Sequence, residues 1–82
     1  MEEYQKELRI FLYIERKNLI KEPVWLFKIS RGLGLSKGEA SKSLNLLESA
    51  GLIQKKKSFV LSNRHETTYH LTEKGRLLTK QN

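Results

Sequence analysis

The residues best equipped for chemistry are polar donors gathered on one arc of a short segment, followed by a knot of cations. On a helical wheel at about 100° per residue, Gly38, Ser41, Lys42, Asn45 and Ser49 share one arc of the stretch from Ser36 to Gly51, while Ala40, Leu44 and Leu47 share another. Asn and Lys on such an arc can hydrogen-bond the edges of bases, Ser can reach phosphate oxygens, and a glycine permits close backbone approach. Lys55, Lys56, Lys57 and Arg64 follow, with only Glu66 beside them. This is the chemistry of binding rather than turnover. No Ser, His and acid arrangement and no carboxylate cluster suggests catalysis, and the run GLGLSKG follows a helix, not a strand, and lacks a P-loop ending. His65 and His70 differ in strand parity and cannot chelate one metal as a pair. No enzyme, metal site or cofactor is expected.

Charge supports a polyanionic partner. Sixteen Lys and Arg against nine Asp and Glu give the 82 residues a net charge of +7 and a pI near 9.9, a balance suited to nucleic acid. Residues 1–35 carry seven cations against five anions, residues 36–82 nine against four, so the excess lies in the second half. The chain has no cysteine, hence no disulfide or thiolate site, which fits a reducing, cytoplasmic compartment. No apolar run approaches the roughly 18 residues that span a bilayer, so neither a signal nor a membrane anchor is expected. With no repeat or linker, residues 1–82 read as one domain, near the size at which a partner chain helps stability.

The elements that must position these residues follow from local pattern. Residues 2–18 lack Gly and Pro, begin with Glu2 and Glu3 and end near Arg16 and Lys17, as the helix dipole favours. Apolar residues cover so much of this first helix that two buried faces are expected. After an extended piece at Ile20 to Glu22, Pro23 suits the first turn of a second helix over Val24 to Leu33, with Leu26, Ile29, Ser30 and Leu33 inward. A tight turn at Gly34 and Leu35 leads to Ser36, an N-cap with Glu39 three residues on, and so to a third helix that Gly51 ends in a left-handed cap. KKKSFVLS, a turn at SNRHE and TTYHL form a hairpin. Thr72 caps a last helix that Gly75 weakens. The fold class is α+β, mainly α: a three-helix core, a two-stranded β-hairpin and a short C-terminal helix. Trp25 and Phe27 read as core or interface aromatics rather than stacking platforms.

Two short helices joined by a glycine-containing turn and followed by a basic hairpin make a winged helix-turn-helix. LGLSKGEASKSLNLLESAGLI, then the hairpin, then YHLTEKGRLL, over residues 24–80, resembles the winged-helix core of MarR-type and PadR-type regulators. Ser36, Ala40, Ser41, Lys42, Leu44, Leu47, Gly51, Leu52 and Ile53 match the family pattern, as do Tyr69, Leu71, Thr72, Glu73, Lys74 and Gly75 after the wing. The resemblance implies that Lys37, Gly38, Ser41, Lys42 and Asn45 face the major groove, with Ser36 beside them, and that wing residues Asn63, Arg64 and His65 reach flanking backbone or the minor groove. Lys55, Lys56 and Lys57 are then phosphate contacts. Glu39 is a cap before it is a cytosine contact, and Leu46 lies off the core arc, free for the wing or a second subunit.

The implied function is sequence-specific binding of double-stranded DNA by a homodimeric transcriptional repressor, with Tyr4, Leu8, Phe11, Leu12, Leu77 and Leu78 as the dimer contact. Long extra helices that build an effector pocket in larger relatives are missing here, so a small-molecule effector is doubtful. The alternatives are an architectural chromatin protein, a winged-helix protein-interaction module and an RNA-binding winged helix.

Overall fold

The computed structural model describes the backbone of residues 4–60 and 64–80, and the side chains of these except 58–60 and 64–66. In chain order it contains α1 (Gln5–Leu19), α2 (Leu26–Leu33), α3 (Lys37–Ser49), β1 (Ile53–Val60), β2 (Arg64–Leu71) and α4 (Glu73–Thr79). Three helices, an antiparallel hairpin and a short closing helix are the architecture expected of a winged helix-turn-helix.

One core joins every layer: Ile10, Phe11 and Ile14 from α1, Val24, Ile29 from α2, Ala40, Leu44 and Leu47 from α3, and Ile53 and Leu71 at the root of the hairpin. Burying each of the larger aliphatic side chains contributes about 1.5–3 kcal/mol. Arg16 and Lys17 occupy the last turn of α1, as its dipole favours, and Glu7 its first; Glu2 and Glu3 lie outside the described residues. Only one of the two faces expected to be buried on α1 is covered. Tyr4, Leu8 and Leu12 remain 63%, 56% and 46% exposed.

The start of α2 differs from the sequence expectation. Pro23 does not open the helix; Trp25 is its N-cap, and the segment before it is irregular. The cause is tertiary: the Val24 carbonyl accepts a hydrogen bond from the Tyr69 N–H at 2.9 Å, and the Val24 side chain is fully buried. This segment therefore flanks β2 on the edge away from β1, so its carbonyl is committed to a strand and not to a helical turn. Ile20 and Lys21 likewise form a turn, with Lys21 at φ +59°, where an extended piece was expected.

The helix-turn-helix corner is held by short-range bonds. Gly34 closes α2 at φ +68°, the Leu35 N–H donates to the Ser30 carbonyl at 2.9 Å, and Ser30 Oγ donates to the Leu35 carbonyl at 2.7 Å. After α3, Gly51 turns at φ +77°, the left-handed cap read from the sequence. β1 and β2 pair from Ile53 with Leu71 to Val60 with Arg64. The root of this hairpin is tied to α1 by Asn18, whose Oδ1 accepts from the Leu71 N–H at 3.0 Å. Thr72 caps α4 as expected, accepting from the Gly75 N–H at 3.1 Å and donating to the Gly51 carbonyl at 2.6 Å. Gly75 itself is buried against the Leu52 carbonyl, so closely that no side chain fits between them.

Candidate nucleic-acid interface

The polar arc of α3 stands clear of the rest of the chain. Lys37, Gly38, Lys42 and Asn45 are exposed, Ser41 is half-buried, and Ala40, Leu44 and Leu47 of the opposite arc are buried. A Cβ at Gly38 would meet nothing nearer than Ser36 Oγ at 4.0 Å, so internal packing does not require glycine there.

The start of α3 is fixed by a capping box. The Glu39 N–H donates to Ser36 Oγ at 3.1 Å, and the Ser36 N–H donates to Glu39 Oε1 at 3.2 Å. Lys6 Nζ donates to the other carboxylate oxygen at 2.8 Å. One turn further, Ser43 on the inner side of α3 donates to the Glu7 carboxylate. Two consecutive residues of α1 thus hold α3 at its first and second turns. Sequence reading missed both partners, because contacts across 33 and 36 residues leave no local signal.

The Lys6 ammonium, followed by the Ser36 N–H, holds the Glu39 carboxyl down at about 2, against an ordinary 4.5. A depressed carboxyl stabilises the fold above its unfolded value and loses that contribution as pH falls through the folded value. Denaturant unfolding from about pH 6 to about pH 2 is expected to show wild type more stable than Glu39→Gln at the upper end, the gap closing below about pH 4.5. A gap constant with pH would mean that the charge of Glu39 does not hold the helix start.

The hairpin divides the three lysines. Lys55 and Lys57 stand opposite Tyr69 and Thr67, and Lys56 opposite Thr68; alternation along a strand puts them on two faces. Lys55, Thr67 and Tyr69 form one wall of a cleft whose other wall is Trp25, Phe27 and Lys37. Lys56 lies behind the wing, sharing a second cleft with His70, Lys21 and Arg76. Burial, and next the nearby Lys56, pushes the His70 ring below its ordinary value, so it adds no positive charge at neutral pH. Asn63 lies outside the described residues, as do the side chains of Arg64 and His65. Among the described residues, no group of three or more His, Cys, Asp or Glu could hold a metal ion, and no helix is long and apolar enough to cross a membrane.

The aromatic pair at α2 splits. Trp25 is half-buried, with Lys28 Nζ 4.7 Å from its ring centroid, whereas Phe27 is half-exposed between Arg31 and Lys37. On the far side of α3, the open face of α1 lines an apolar groove of about 510 Å³ with Leu46, Leu47, Ala50, Leu52 and Leu78. Tyr4, Leu8 and Leu12 are its exposed rim, Phe11 is buried beneath it, and Leu77 is exposed but does not line it.

A family model described as a winged helix DNA-binding domain matches residues 7–82. The chain belongs to that family. Solved structures resemble this winged-helix domain over most of its length. RV1404 from Mycobacterium tuberculosis shares 21% identity at a TM-score of 0.77, the match covering 94% of this chain and 48% of that one, a likeness that speaks for the fold alone. A MarR-like transcriptional regulator from Thermotoga maritima shares 25% identity at 0.73, covering 93% and 50%. FabT from Streptococcus pneumoniae, solved in complex with DNA, shares 30% identity at 0.67, covering 93% and 48%. The winged-helix chain thus spans about half the length of these proteins. No curated protein sequence matches it.

Proposed function

We propose that this winged-helix domain reads double-stranded DNA sequence-specifically as a homodimer in the cytoplasm and represses transcription by occupying a promoter. The observation that carries the reading is the uncovered polar arc of α3, with Lys55 and Lys57 on the adjoining hairpin. The activity is occupancy, not chemistry. Lys42 and Asn45 read base edges in the major groove; Ser36, Lys37 and Ser41 reach phosphate at its rim, and Gly38 lets the backbone approach. Lys55 and Lys57 contact flanking phosphates, and Lys56, behind the wing, adds only longer-range attraction. Asn63, Arg64 and His65 extend the wing's contact to the flanking backbone or minor groove.

The apolar groove supports the dimer. An exposed apolar surface of this kind marks a site of association, and Tyr4, Leu8, Leu12 and Leu78, above Phe11, give a second copy a continuous seat. Two-fold symmetry would present the two α3 helices to successive major grooves, about 34 Å apart.

Selection from random duplex DNA, read by sequencing, tests the reading: an inverted repeat is the expected result. The absence of any preferred sequence would favour an architectural role instead. Lys42→Ala is expected to lower affinity for the selected site by about 1–3 kcal/mol beyond its effect on random duplex. Equal effects on both, measured by fluorescence anisotropy, would show that Lys42 reads no base.

A further inference from the structure

Phe27 is the second residue of α2, half-exposed, and it sits between two cations. The guanidinium carbon of Arg31 lies 5.3 Å from the ring centroid and the ammonium of Lys37 lies 5.9 Å from it. The negative face of an aromatic ring attracts cations at this range. Arg31 is one turn further along the same helix, whereas Lys37 is the first residue of α3, across the Gly34 turn. Both therefore lean on one ring at the corner of the helix-turn-helix. The cleft beside it has Lys55 and Thr67 of the hairpin as its opposite wall. Among the described residues neither cation is paired with a carboxylate, and the α3 acids Glu39 and Glu48 are engaged by Lys6 and Lys55.

We infer that Phe27 is a positioning residue for DNA, holding Arg31 and Lys37 ready to meet phosphates beside the groove, and that Arg31 of α2 is itself a backbone contact. This rests on the DNA-binding function proposed for the domain. A long cationic side chain loses rotamer freedom when it is pinned to a phosphate, and restraining it beforehand lowers that cost of association. A ring does this without consuming the cation's charge or saturating its N–H donors, as a carboxylate partner would. Arg31 carries no sequence signal for the role, since a basic residue near a helix C-terminus is already explained by the dipole.

The test compares wild type with Phe27→Leu, Phe27→Tyr and Arg31→Ala, measuring affinity for random and selected duplexes across a salt series. Each exposed cation–π contact shifts an equilibrium by a factor of about 2–5, so Phe27→Leu should weaken both duplexes about 3–10-fold with the slope of log K against log salt unchanged. Phe27→Tyr keeps the ring and should bind as wild type. Arg31→Ala should flatten the slope by about 0.9 for each phosphate that Arg31 neutralises. In the free protein, ring-current shifts of the Arg31 and Lys37 side-chain protons should vanish in Phe27→Leu, with the thermal midpoint unaltered. Wild-type affinity in Phe27→Leu, or an unchanged slope in Arg31→Ala, would overturn the inference and leave the DNA-binding function standing. A wild-type chain with no affinity for either duplex would overturn both.

Discussion

Raising salt from about 50 to about 200 mM is expected to weaken duplex binding about 10⁴-fold. The size follows from counterion release: on the proposed reading, four backbone cations per protomer, Lys37, Lys55, Lys57 and Arg31, would neutralise about eight phosphates in a dimer, and log K would then fall with log salt at a slope near −7. The steepness is shared by every sequence, because phosphates carry no base identity. The difference between selected and random duplex should therefore survive the salt series nearly unchanged while both affinities collapse. Fluorescence anisotropy on the two duplexes reads this directly. A slope near −3 to −4 would indicate one protomer on the DNA, and the dimeric reading would fall with it.

The second large effect concerns stability. Gly75→Ala is expected to destabilise the domain by about 3 kcal/mol, because the new methyl would enter the space of the Leu52 carbonyl, a backbone atom that cannot rotate aside. Leu52 lies between α3 and the hairpin, and its carbonyl also accepts from the Thr72 N–H at 3.0 Å. Relief of the clash therefore means moving α4 off the hairpin root. For a domain of this size each kcal/mol lowers Tm by about 4–8 °C, so a calorimetric fall of more than about 10 °C is expected. Gly38→Ala is the internal comparison: its Cβ meets open space, and alanine is the better helix former by about 0.5–1 kcal/mol, so stability should hold or rise. A Gly75→Ala variant as stable as wild type would show that α4 has room to shift at no cost.

Mutations at the interface have to respect the ties between α1 and α3. Lys6 and Glu7 reach Glu39 and Ser43, so a change on α1 that disturbs them will move α3 as well as the apolar groove. Leu46 and Leu47 line that groove from α3 itself, and Ala50 from its C-cap. The same helix thus offers one face to the proposed groove of DNA and another to the proposed second copy.

The sequence by itself determined what depends on neighbours within a turn or two. Ser36 and Glu39 named the start of α3, Gly51 its end, Thr72 the cap of α4, and the spacing of Ala40, Leu44 and Leu47 the buried arc of α3, because capping and periodicity act over three or four residues. The order of elements and the polar arc followed from the same rules. Only the tertiary structure decided that Val24 would serve β2 rather than begin α2, that Gly75 would be pressed against a backbone carbonyl, and that Phe27 would gather Arg31 and Lys37. Each of these turns on a partner that is remote in the chain or set by strand pairing and helix docking, and such a contact has no energy until the fold has brought its two sides together.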